Sequence, residues 1–381
     1  MSRRRSLMIV AGEPSGDAHA AALVKALRER GEMDFFGATG PLMREAGVET
    51  IVNSDELAIM GIVEVGRVFS KFLSAFRKLK AAAIERSPDA VVLVDWPEFN
   101  LRLASSLHRR GLKVIYYISP QLWAWRPGRV RKIERDVDLL LSILPFEVDW
   151  YKAHNVGHVK FVGHPLSGEV KAHYGREEFC RRNDLDPSRP IVSFLPGSRI
   201  KELQRILPPM LDAIKKLPPN VQPLVVVAPS RTAEETRAMV SENIKLIQQQ
   251  TREALAASDA AAIASGTATL EAALLETPMV VVYKESLINW HTLGRLITVP
   301  HFGLVNLVAG REIAKELMQD QLLGENLARE LMKLLEPETN RAMRASLQAV
   351  AQKLGGHGAS QRAAEEIVEF LAADNADKIR I

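Results

Sequence analysis

The sequence predicts an α/β protein made of two doubly wound parallel-sheet domains that face a cleft. Three observations carry this. Short apolar runs alternate with helical runs through the first half, as βαβ units require. That alternation breaks after Phe161-Val162-Gly163-His164-Pro165, and a second series of the same kind starts near residue 191. At 381 residues the chain is also long for one domain.

Taken in order, the strands of the first domain are expected at 7–11, 34–37, 90–94, 113–118, 139–143 and 160–162. The charged, prolyl stretch 175–190 contains no strand-like run and reads as a connection. Strands at 191–195, 222–228, 260–263 and 279–282 follow, again with helices between them. Gly355-Gly356-His357-Gly358 ends that series, and an amphipathic helix over 359–372 closes the chain. The expected division is 1–165, 166–354 and a C-terminal helix in 355–381.

Bulk properties narrow the class. Apolar residues make up 47% and charged residues 25%, enough to bury a large core. A net charge of +4 suits an anionic partner but does not argue for nucleic acid. Cys180 is the only cysteine, so neither an internal disulfide nor a cysteine-rich metal site is expected. Met1-Ser2-Arg3-Arg4-Arg5 precedes an apolar run, but that run ends at Glu13 without a cleavage site, which argues against a signal peptide. No stretch approaches the ~20 apolar residues of a membrane span. A cytoplasmic protein, soluble or lying on a membrane surface, is expected.

The chemistry gathers where strands end. Ala11-Gly12-Glu13-Pro14-Ser15-Gly16-Asp17 is a strand-turn-helix passage whose turn holds two carboxylates and a serine. It suits polar hydroxyls better than a pyrophosphate. The apolar run 91–94 delivers Asp95 to its carboxyl end, with Glu98 and Asn100 close behind. Asp95 reads either as a helix cap or as a general base towards a sugar hydroxyl. In Ser119-Pro120-Gln121-Leu122-Trp123-Ala124-Trp125-Arg126, two tryptophans adjoin a basic cluster that continues through Arg129, Arg131 and Lys132. The pattern reads either as core plus a solvated basic helix, or as an aromatic platform for a sugar beside a phosphate site.

The second half repeats one device twice. Leu195-Pro196-Gly197-Ser198-Arg199 follows a strand and opens a helix, where glycine admits a close backbone approach and Arg199 can pair with phosphate. Ser265-Gly266-Thr267-Ala268-Thr269-Leu270-Glu271 presents hydroxyls and amides at another helix start, with Glu271 able to accept from ribose hydroxyls. Either passage alone is an ordinary cap. Two of them in one domain argue for a nucleotide diphosphate. In 65–83, Phe69, Phe72 and Phe76 share one helix face while Arg67, Lys71 and Lys78 lie opposite. That stripe is either core or a face for an anionic membrane and its acyl chains.

Together these motifs resemble the lipid-A-disaccharide glycosyltransferase family of the GT-B superfamily. Met60-Gly61-Ile62-Val63-Glu64-Val65 and Val305-Asn306-Leu307-Val308-Ala309-Gly310-Arg311-Glu312 add to the likeness, which runs in order from about residue 7 to about residue 320. The chain departs from the family's usual pattern at Leu304-Val305, where Leu-Pro is usual, and at Glu98, where Asp is common.

The resemblance implies transfer of 2,3-diacylglucosamine from UDP to the 6-hydroxyl of 2,3-diacylglucosamine 1-phosphate, with inversion and without a cofactor or metal. UDP and a β(1→6) disaccharide 1-phosphate would result. Asp95 is then the expected base, with Glu13 and Asp17 as rival or supporting carboxylates. Ser15, Glu98, Asn100, Ser119, Trp123, Trp125 and Arg126 would hold the acceptor in the first domain. Gly197, Ser198, Arg199, Ser265, Gly266, Thr267, Glu271 and Asn306 would hold UDP in the second. The implied setting is the inner-membrane surface on the cytoplasmic side, and a homodimer is compatible with it. A UDP-sugar 2-epimerase of the same fold and a non-enzymatic membrane-surface binding protein are the rival readings.

Overall fold

A computed structural model describes residues 4–55, 65–242, 244–286, 290 and 299–379. Side chains are described over the same ranges except 65–69 and 374–379. The chain divides into two compact units, one of residues 1–165 with 357–381 and the other of residues 166–356.

The first unit is built on seven parallel strands: β1 (Arg5–Ala11), β2 (Met33–Thr39), β3 (Glu49–Asn53), β4 (Ala90–Val94), β5 (Val114–Tyr117), β6 (Leu139–Ser142) and β7 (Val159–Phe161). Their order is β3-β2-β1-β4-β5-β6-β7. The chain therefore reverses its direction of travel between β1 and β4, the switch point at which open α/β sheets bind ligands. The helices that matter for the site are α1 (Pro14–Arg28), α2 (Pro41–Glu45), α3 (Val65–Arg86), α4 (Pro97–His108), α5 (Leu122–Trp125) and α6 (Pro145–Ala153).

Alternation along β1 explains the layers. Leu7, Ile9 and Ala11 enter one core with Leu23, Val24 and Leu27 of α1. Met8 and Val10 enter the opposite core, beside Leu79, Ala83, Trp96 and Phe99. The first of these cores also receives Ala363, Ala364, Ile367 and Leu371. The closing helix (Ala359–Ile379) therefore packs on the first unit after the chain has completed the second.

The second unit holds β8 (Ile191–Leu195), β9 (Gln222–Val227), β10 (Lys245–Gln248), β11 (Ala260–Ala264), β12 (Met279–Tyr283) and β13 (Glu316–Met318), all parallel. Their order, β10-β9-β8-β11-β12-β13, places a switch point between β8 and β11. Its relevant helices are α7 (Ile200–Ile214), α8 (Thr251–Ala257), α9 (Ala268–Leu274) and α10 (Leu304–Ala309). The expected connection over 175–190 in fact contains a helix, Arg176–Arg182, whose Phe179 and Cys180 are buried. Among the described residues, no helix is long and apolar enough to cross a membrane.

Candidate active site

At the first switch point, the turns after β1 and β4 bring Glu13 and Asp95 to adjacent strand ends. Asp95 and Trp96 both adopt left-handed backbone, with φ of 49° and 50°, and Ile118 at the end of neighbouring β5 does so at 65°. Consecutive non-glycine residues in that region cost energy, so other contacts must hold them there. Those contacts are visible. The Asp95 carbonyl accepts from Tyr116 Oη at 2.6 Å and from Asn100 Nδ2 at 2.8 Å. The indole of Trp96 stacks on Phe99 at 4.1 Å and lies so close over Gly12 that any β-carbon there would meet the ring at 2.1 Å. Burial, and then the charge of Glu13, push the Asp95 carboxyl up to about 6. Glu13 itself is exposed, as is Ser15 in the first turn of α1.

Several expected site residues instead turn inward. Asp17 is buried, and its carboxylate accepts from the amides of Gly40 (2.9 Å), Leu42 (2.9 Å) and Met43 (3.1 Å). Its lone pairs are spent on the start of α2. Asn100 is fully buried, and its Nδ2 ties down the Asp95 turn through the carbonyls of Val94 and Asp95.

The expected Ser119–Arg126 platform is also divided. Ser119 Oγ and Trp123 Nε1 donate to buried Glu147 of α6 at 2.5 and 2.8 Å, and Ser142 Oγ donates to the same carboxylate at 2.5 Å. Burial raises the Glu147 carboxyl, while these bonds oppose the shift. Tyr151 Oη adds a bond of 2.8 Å to the Pro120 carbonyl. Ser119 and Trp123 therefore anchor the loop, and the segment presents Gln121 and Trp125 to solvent. The Arg126 guanidinium covers the Trp125 ring at 3.8 Å. Glu98 and Arg126, both expected on the acceptor, bind each other at 2.5 Å, and Arg129 joins at 2.6 Å. The hydrogen bond from Arg129 leads in holding Glu98 below the usual carboxylate range.

Of the two readings of the phenylalanine stripe, Phe72 and Phe76 take the core one. Phe72 and Phe76 are half-buried and packed edge-on or tilted against Phe99 and Trp96, with centroids 5.6–6.1 Å apart. They support the Asp95 turn from below. The side chain of Phe69, and the segment Met60 to Glu64, lie outside the described residues. The outer face of α3 carries Lys71, Leu73, Arg77 and Lys78, all exposed.

At the second switch point, the turns after β8 and β11 line one cavity of about 330 Å³, which Gly197, Ser198, Arg199, Ser265, Gly266, Thr267 and Glu271 share. That volume lies at the lower end of the range for small-molecule sites. Gly197 has φ of 109°, and a β-carbon there would lie 2.6 Å from Glu202 Oε2. Arg199 projects outward with its side chain 83% exposed. Ser265 donates from Oγ to the Phe302 carbonyl at 2.7 Å, while Thr267 at the start of α9 is exposed. Burial raises the Glu271 carboxyl; Arg252 of α8, 3.7 Å away, opposes that shift.

Asn306 does not reach this cavity. It is fully buried, with Nδ2 on the Ala314 carbonyl and Glu316 (2.8 Å each) and Oδ1 on the amides of Ile313 and Ala314 (2.9 Å each). Asn306 thus braces the loop over residues 313–316. Among the described residues, no group of three or more His, Cys, Asp or Glu side chains could hold a metal ion.

Two kinds of likeness accompany this geometry. The family described as lipid-A-disaccharide synthetase matches residues 7–370. The lipid-A-disaccharide synthase of Solibacter usitatus is 43% identical over 371 residues, covering 96% of this chain and 97% of its own. That of Trichlorobacter lovleyi is 44% identical over 379 residues, covering 97% and 99%. Among solved structures, Acinetobacter baumannii MurG aligns with a TM-score of 0.57 at 16% identity, covering 96% of this chain and 99% of its own. A Listeria monocytogenes protein described as a UDP-N-acetylglucosamine 2-epimerase aligns at 0.62 and 14% identity, covering 98% and 97%. These structural likenesses concern the GT-B fold.

Proposed function

The chain belongs to the lipid-A-disaccharide synthetase family, and from that premise we propose an inverting transfer of 2,3-diacylglucosamine from UDP to the 6-hydroxyl of 2,3-diacylglucosamine 1-phosphate. The observation that carries the mechanism is Asp95. It sits at a switch point, in a strained turn held by Tyr116 and Asn100, with its carboxyl raised to about 6. Such a group is ionised near neutral pH yet basic enough to accept a proton in the transition state.

In the proposed step, Asp95 takes the proton of the 6-hydroxyl as that oxygen attacks the anomeric carbon. The bond from that carbon to the β-phosphate oxygen breaks on the opposite face, and its electron pair leaves with UDP. The α-linked donor thereby gives a β(1→6) product. Arg199 and the amides at the start of α7 meet the charge that develops on the diphosphate. Ser265, Gly266 and Thr267 extend that donor set, and Glu271 accepts from the ribose. Glu13 raises the basicity of Asp95 through its charge, and it is the substitute base if Asp95 is not used. Ser15 and Trp125, both exposed, and the solvent-facing Glu98–Arg126 pair are the acceptor contacts this reading uses.

Both substrates carry long acyl chains, so the enzyme meets them at a membrane surface. The outer face of α3, with Leu73 among Lys71, Arg77 and Lys78, is the surface proposed for that contact. Incubation with UDP-diacylglucosamine and diacylglucosamine 1-phosphate, read by mass spectrometry, tests the reaction. A tetraacyl disaccharide 1-phosphate is the expected product, and its absence with intact protein would refute the proposal.

A further inference from the structure

The amides proposed for the diphosphate are already occupied. Glu202, on the first turn of α7, reaches back so that its Oε2 accepts from the Ser198 amide at 3.2 Å and the Arg199 amide at 3.3 Å. Its Oε1 accepts from the Arg199 guanidinium at 3.0 Å. Gly197 leaves the space for this, since a β-carbon at that position would collide with the same carboxylate. The loop is pinned from its other side, where Arg231 Nε donates to the Ser198 carbonyl at 2.9 Å. The loop therefore has an anchor that does not depend on the carboxylate.

We propose that Glu202 is an internal stand-in for the diphosphate, a positioning residue that closes the anion site when it is empty and competes with UDP for it. This rests on the nucleotide reading of the second switch point. An amide hydrogen makes one good hydrogen bond, so phosphate and carboxylate cannot both hold the Ser198 and Arg199 amides. Two anions on one helix start also repel each other. Binding of UDP thus displaces Glu202 and frees Arg199 to pair with phosphate. After transfer, the returning carboxylate helps to expel UDP, whose charge at that stage is a product to be released.

The competition has a computable size. Capping interactions of this kind are worth roughly 0.5–2 kcal/mol, so the closed arrangement outweighs the open one by about 2- to 30-fold. The apparent affinity for UDP is reduced by the same factor. Glu202→Gln keeps the reach and a weaker cap but removes the charge, and Glu202→Ala removes both. Titration calorimetry with UDP, inorganic pyrophosphate and uridine reads the effect. Both variants should bind UDP and pyrophosphate several-fold more tightly than wild type, with uridine unchanged.

A purely structural cap would not tighten anion binding, and lost through-space repulsion alone would be screened by salt, so tighter binding that persists at raised salt identifies the competition. If wild type binds UDP and Glu202→Gln, folded by circular dichroism, binds it no more tightly, the stand-in role is wrong and the nucleotide site survives. If wild type has no affinity for UDP, the nucleotide reading and the stand-in fall together.

Discussion

Replacing Asp95 with asparagine keeps the size and shape of the side chain, and asparagine tolerates the left-handed backbone at this position at least as well. The change removes only the ionisable group, so two effects of opposite benefit follow. Turnover should fall about 10²- to 10⁴-fold, the usual contribution of a general base. Stability should rise. The Asp95 carboxyl goes from 3.8 to about 6 on folding, about two units at ~1.36 kcal/mol each, so its ionisation withholds about 3 kcal/mol from the fold.

The sign follows from the raised value. The folded state holds the proton more tightly than the unfolded chain, so the protonated carboxyl favours folding. That advantage is full below 3.8 and is lost as pH rises through about 6. Asparagine does not titrate, so its benefit over aspartate should be about 1 kcal/mol near pH 4.5 and about 3 kcal/mol near pH 8. Urea unfolding at the two pH values measures the difference, and the wild-type rate should climb with pH through about 6. A variant less stable than wild type near pH 8 would refute the reasoning on the raised carboxyl, and one that turns over normally would pass the base to Glu13.

Other expectations follow from the same geometry. Arg199→Ala should weaken UDP binding by roughly 1.5–3 kcal/mol in a calorimetric titration, since it removes a charge-assisted bond to the diphosphate. EDTA should leave wild-type turnover intact, because the guanidinium and helix start meet that charge; loss of activity restored by Mg²⁺ would contradict this. Glu147→Ala strands the donors of Ser119, Trp123 and Ser142, at about 1–3 kcal/mol for each one left unsatisfied, and should lower the urea midpoint sharply. Changing Leu73, Arg77 and Lys78 together to serine alters exposed positions only, so it should reduce sedimentation with anionic vesicles while the melting temperature stays near that of wild type.

Position in the sheet separates most of the strands that could be read in advance from those that could not, the edge strand β7 being read as well. β1, β4, β8 and β11 are central and largely buried, so they appear as mainly apolar runs, unbroken in Val91-Val92-Leu93-Val94 and interrupted in β8 by Ser193 alone. The three strands absent from the expectation, Glu49–Asn53, Lys245–Gln248 and Glu316–Met318, are all edge strands. They are short and largely uncovered, so their residues need not be apolar and carry no alternation to detect. The turns at both switch points were legible because the central strands mark where the carboxyl edge lies.

Within those turns, the residue types announced polar chemistry but not its direction. Asp17 lies in a strand-end motif just as Asp95 and Ser265 do, and Asn306 in the helix that precedes β13, yet both spend their lone pairs on backbone amides. Backbone donors are present at every residue, so a sequence does not reveal which of them will need a carboxylate or an amide side chain. The same blindness hid Glu147 and Glu202. Both are acidic residues in the first turn of a helix, a position commonly explained by the helix dipole alone. What separates Glu202 from an ordinary first-turn glutamate is the glycine five residues before it, whose missing β-carbon makes room for the carboxylate. A small residue in a strand-end turn can therefore serve a side chain further along the chain as readily as a ligand, and here Gly197 serves the carboxylate that the proposed diphosphate would displace.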